Sequence, residues 1–187
     1  MALEKETFSD EKERFEATLL ENPLTTKQAF SQFGLLLGLF PPMAIFGKFA
    51  YHNLPTNPYN DDTWLIFLLL VVNLVCALTG YYSGKLIGDI VSRIEKLNWA
   101  QMILIAPFIG ILWGVMTGSA GGVFIFIIGA FFGAAIASLV GMVALPIFTI
   151  FHRFLKKGDV IERDQFLPIA AGITLIISAI ILGLNIN

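Results

Sequence analysis

Charge is what this chain has least of. Only 14% of its 187 residues are Asp, Glu, Lys or Arg, against about 25% in an ordinary globular domain. Half of the fourteen acids, Glu4, Glu6, Asp10, Glu11, Glu13, Glu16 and Glu21, fall in residues 1–27 beside four of the twelve bases. The 160 residues that follow therefore carry only eight bases and seven acids, too few to coat a soluble domain of that size. Cysteine is nearly absent too. Cys76 stands alone inside an apolar run, which excludes an intramolecular disulfide and reads as a small core residue. Residues 1–27 also lack an apolar h-region, so no cleavable secretory signal is expected there and the first apolar helix directs insertion itself.

The apolar stretches are poor in the groups that carry chemistry. No Asp, Glu, Arg or His lies near the centre of any of them, which excludes the buried relay of a proton-coupled transporter. His52 and His152 fall at opposite faces of the membrane in a five-span path and so cannot share a metal. There is no P-loop, no Cys/His cluster and no basic stripe for nucleic acid. The reading is therefore of a chain with no catalytic, cofactor-binding or metal-ligating set, which is not an enzyme and has no nucleic-acid partner. Were an acid–base pair present, His152, Asp159, Glu162 and Asp164 would be the first place to look.

What is there is apolar length. The residues AVILMFWYC make up 56% of the chain, and from Ala29 onward long apolar stretches alternate with short polar breaks. That pattern fits a bilayer about 30 Å thick, which a helix of about 20 residues crosses. The expected fold is an all-α integral membrane protein with about five transmembrane helices, near 29–50, 64–82, 100–116, 123–150 and 166–184. A cytoplasmic segment, 1–27, precedes this 28–187 domain. Within it, Phe8, Phe15 and Leu19 share one face of an amphipathic helix over 7–21, which Asn22-Pro23 ends. Thr25 and Gln28 then have the spacing of a capping box. Beyond Tyr82, the KLIGDIVSRIEKLNW segment reads as an amphipathic extension along the membrane surface, and TGSAGG reads as the short turn between the third and fourth spans. His152 and Arg153, beside Lys156 and Lys157, are expected to meet lipid headgroups.

Lys and Arg fix an expected orientation, because basic loops are retained in the cytoplasm. Eleven of the twelve bases fall on one side of a five-span path, and only Lys48 falls on the other. This places the N-terminus in the cytoplasm and the C-terminus outside, in what reads as a bacterial cytoplasmic membrane.

Small residues recur every fourth position. Gly34 and Gly38 lie in the first span, Gly80 and Gly84 in the second, Gly110, Gly114 and Gly118 in the third, and Gly129, Gly133 and Gly141 in the fourth. Such stripes let backbones approach closely, where lipid supplies no hydrophobic drive. Pro41 and Pro42 remove two backbone donors and predict a break in the first span. The functional expectation is a non-catalytic accessory or scaffold subunit of a larger membrane complex, in contact with lipids and with other subunits of a hetero- or homo-oligomer. The alternative is an oligomeric channel or facilitator for a small solute or ion.

Overall fold

A computed structural model describes residues 22–53 and 63–184. The 7–21 helix expected from the sequence lies outside them. The described chain opens on a short strand, β1 (Pro23–Thr25), followed by α1 (Thr26–Asn53), α2 (Thr63–Ile94) and α3 (Trp99–Gly122). One 3-10 turn (Val123–Ile125) leads into α4 (Phe126–Leu155), then β2 (Val160–Glu162) and α5 (Arg163–Gly183). All five α-helices are long and apolar enough to cross a membrane. The protein is thus all-helical in architecture and suited to a membrane location, apart from one two-stranded ribbon.

Local chemistry sets the helix starts. The Thr25 N–H donates to Gln28 Oε1 at 3.0 Å, and the Gln28 N–H donates back to Thr25 Oγ1 at 3.3 Å. Both orphan donors at the head of α1 are thereby satisfied. Asn98 caps α3, its side-chain oxygen accepting from the Gln101 N–H at 2.9 Å. Pro41 and Pro42 lie inside α1 without ending it, so the break expected there is not a break in the helix. Only the two donors are lost, and helical bonding resumes on both sides. The segment after Tyr82 continues α2 as one helix to Ile94.

The helices associate as two tight hairpins. In the first, Gly34 lies against the backbone of Gly80, Gly38 against Cys76 and Ala77, and Gly84 against Phe30 and Ser31. In the second, Gly110 lies against Gly141, Gly114 against Ala137, Gly118 against Gly133, and Gly122 against Gly129. At each of these positions a methyl group would run into the facing main chain. This also explains why Gly118–Gly122, expected as a turn, stay helical: Gly118 and Gly122 serve the α3–α4 contact, and the chain reverses only at Val123–Ile125.

The two hairpins and α5 meet around aromatic side chains. Phe33 of α1 stacks on Phe148 of α4 with ring centres 3.9 Å apart, and Phe148 meets Phe166 of α5 edge-on at 5.7 Å. Between α2 and α3, the buried Trp113 indole donates to Ser83 Oγ at 2.7 Å, and the Ser83 hydroxyl donates to the Thr79 carbonyl at 2.6 Å. β1 and β2 pair antiparallel, with Leu24 opposite Ile161, and close one end of the bundle, called here the ribbon end. At the far end, Lys48 Nζ donates to the Leu182 carbonyl at 3.2 Å.

Gly110→Ala forces a methyl group into the Gly141 backbone and is expected to lower stability by about 1–3 kcal/mol, the usual cost of overpacking. Gly172 has nothing within 4 Å of a built Cβ. Gly172→Ala is accordingly expected to be neutral or stabilising by up to about 1 kcal/mol. Denaturant titration in mild detergent, followed by tryptophan fluorescence, separates the two.

Candidate functional site

The ribbon end holds the most concentrated buried polarity among the described residues. Glu95 follows the last turn of α2, and its side chain is wholly buried. His152 projects from α4 toward it, with Nδ1 2.7 Å from Glu95 Oε1. Lys156, just past the end of α4, places Nζ 2.8 Å from Glu95 Oε2. Both carboxylate oxygens are thus used. An ionised carboxylate only accepts, so the imidazole carries its proton on Nδ1 and donates it to Glu95. Around the imidazole lie Phe30, with ring centres 5.3 Å apart, and Phe148, at 6.1 Å. The other ring nitrogen, Nε2, finds no partner.

Burial alone pushes the Glu95 carboxyl up. The hydrogen bonds and charges of His152 and Lys156 outweigh it, so its pKa lies below the usual carboxylate value. The group is held ionised at neutral pH, which suits an anchor better than a proton carrier. Near it, Arg153 stacks on Trp99, 4.4 Å from the ring centre, and donates to Met102 Sδ at 3.4 Å. Lys27 of α1 pairs with Asp89 of α2 at 2.8 Å, half exposed. A pair so open to solvent contributes little.

This arrangement corrects two sequence expectations. His152 and Lys156 do not reach out to headgroups, because Glu95 holds both from within. The acid that meets His152 is Glu95, not Asp159, Glu162 or Asp164. Nothing in the sequence singled out Glu95, since it lies in an amphipathic segment whose other charges are solvated, 57 residues before its partner. No trio of His, Cys, Asp or Glu placed to hold a metal occurs among the described residues.

A second feature lies toward the far end. An apolar cavity of about 300 Å³ separates the two hairpins there, bounded by Pro41, Pro42, Cys76, Gly121, Gly129 and Phe132 among others. Of the residues singled out from sequence, Gly38, Gly118, Gly129, Gly133, Pro41 and Pro42 line this space. Gly34, Gly80, Gly114 and Gly141 line a smaller one of about 40 Å³ next to Trp113. Gly84 and Gly110 are taken up in the helix contacts described above. With so apolar a lining the larger cavity suits hydrocarbon better than an ion. Compared with known proteins, the chain matches no family model, no curated protein and no solved structure.

Removing the carboxylate leaves the Lys156 ammonium and the His152 Nδ1–H without their buried acceptor. Glu95→Gln is expected to cost about 3–5 kcal/mol at neutral pH, as when one member of a buried pair is removed, reduced by solvent access to Lys156. Because the folded-state pKa is depressed, this stabilisation is complete above the unfolded carboxyl range and is lost as pH falls through the folded value. Unfolding titrations from pH 7 to below about 4 are expected to show wild type and Glu95→Gln converging.

Proposed function

We propose that this small polytopic membrane protein is a non-catalytic accessory or scaffold subunit of a larger membrane complex. The observation that carries the reading is the Glu95–His152–Lys156 centre, where the buried charge ties the end of α2 to the end of α4. Both carboxylate oxygens are committed to that tie, so Glu95 has no free oxygen to offer a substrate. Catalysis is not part of this role.

Glycine-striped packing supports the same view over a conduit. The striped faces of α1 and α2, and of α3 and α4, are spent on each other. A glycine-lined pore would need them to face a common lumen. What the bundle turns outward is large and apolar, including Leu104, Phe108 and Leu112 on α3 and Ile127, Phe131 and Phe132 on α4, a surface that lipid or another subunit's helix can cover. In this reading the ribbon end is cytoplasmic. It carries Lys27, Arg93, Lys96, Arg153, Lys156, Lys157 and Arg163, against Lys48 alone at the far end of the described chain, as retention of basic segments requires. The C-terminus then lies outside the cytoplasmic membrane, and the N-terminal segment on its cytoplasmic side, where a soluble or peripheral part of the complex would meet it.

Extraction from the native membrane in mild detergent, followed by sizing and mass spectrometry, tests the role. The expected result is a particle well above 20.6 kDa that contains other membrane proteins in fixed ratio. An isolated chain, or a homo-oligomer that conducts a solute in liposomes, would overturn it.

A further inference from the structure

The turn between α3 and α4 has the wrong composition for water. From Ala120 to Ala137 there is no polar side chain at all. Around the turn, Val123, Phe124, Ile127 and Ile128 are exposed, the last two at 77% and 70%. Hairpin turns that emerge from a membrane are ordinarily polar, because their side chains and backbone meet solvent.

Two internal rulers give the depth of this turn. On α2, a methyl group built on Gly121 would meet Cys76 Sγ and lie 3.7 Å from Val72. Val72 is eight residues short of Trp64, or about 12 Å along the helix. On α1, Gly38 lies against the same Cys76, and Lys48, whose ammonium meets the Leu182 carbonyl at the end of α5, is ten residues further, about 15 Å. The turn begins only two residues after Gly121. Both rulers therefore leave it about 10 Å short of the level reached by α1, α2 and α5.

If the turn lay in water, the last turns of α1 and the first turns of α2 would stand clear of the membrane with Met43, Ile66, Phe67 and Leu70 exposed to solvent. If those turns lie in lipid, the hairpin ends inside it. We infer that α3 and α4 form a re-entrant hairpin, which enters from the ribbon end, turns within the hydrocarbon of the opposite leaflet, and has acyl chains of that leaflet lying over its tip.

The backbone tolerates this because the reversal is a three-residue 3-10 turn in which the Val123 N–H still donates to the Ser119 carbonyl. The 3-10 turn carries backbone bonding through the reversal, as hydrocarbon requires. The apolar cavity above Gly121, walled by Pro41, Pro42 and Phe132, then opens onto lipid and receives one of these chains. The inference stands or falls apart from the accessory role, since a channel subunit could carry the same hairpin.

The single native cysteine makes the test direct. In a Cys76→Ala background, Phe124→Cys and, separately, Ile128→Cys are reconstituted in sealed vesicles beside Tyr51→Cys, which lies at the far end and is exposed. A charged, impermeant maleimide is applied from each side, and folding of each variant is checked by its unfolding transition. The expected result is labelling of Tyr51→Cys from one side and loss of labelling at both turn positions until detergent is added. A nitroxide at either position is then relaxed by oxygen and not by a water-soluble nickel chelate. Labelling of the turn in intact vesicles at the rate of Tyr51→Cys, or relaxation by the nickel chelate, would overturn the inference.

Discussion

A helix already surrounded by lipid gains nothing hydrophobic by leaving lipid for another helix, so association depends on how closely two backbones can come. In this protein that closeness is set where glycine carries no side chain: Gly34 against Gly80, Gly110 against Gly141, Gly118 against Gly133. Each such contact brings a main chain where a Cβ would otherwise stand, and dispersion over the whole length of the pair replaces the missing hydrophobic term. Everything else is arranged around two hairpins made in this way. The aromatic cluster of Phe30, Phe33, Phe148 and Phe166 joins α1, α4 and α5, and Trp113 with Ser83 joins α2 to α3.

The polar centre at the ribbon end solves a different problem. Glycine contacts hold α3 to α4 and α1 to α2, but neither set fixes how one hairpin sits against the other. Glu95 does so by directional bonds from the end of α2 to His152 on α4 and Lys156 just beyond it. A charge buried at this end of the bundle tolerates few alternative positions, because any shift that breaks a bond leaves an ion without its partner. The short β1–β2 ribbon then ties the chain before α1 to the chain before α5, at the same end of the bundle.

Much of the architecture was legible in the sequence because bilayer thickness and helical rise are fixed quantities. Five apolar lengths and the Thr25–Gln28 cap follow from them directly. What was not legible depends on neighbours. Gly118, Gly121 and Gly122 resemble a turn in isolation and remain helical because Gly133, Cys76 and Gly129 lie against them. Pro41-Pro42 resembles a break, yet the helix runs through it. Glu95 resembles one more surface charge of an amphipathic segment, and only the approach of α4 turns it into the acceptor for His152.

Charge counting and hairpin depth answer separate questions, which is why one could be read without the other. A hairpin that enters and returns on the same side changes no loop's location, whether its turn emerges in the opposite aqueous phase or stops within the hydrocarbon. The basic residues at the open end of the hairpin, Lys96 before α3, Arg153 in the last turn of α4 and Lys156 and Lys157 after it, stay on one side in either case. The asymmetry of Lys and Arg is therefore blind to the depth of the turn. Depth is written instead in the apolar run from Ala120 to Ala137 and in the mismatch between where α3 ends and where α1 and α2 end. The mismatch becomes measurable only when Gly121 is found against Val72 and Cys76. The same glycine spacing that draws α3 and α4 together along their length keeps that turn short enough to stay among lipid chains.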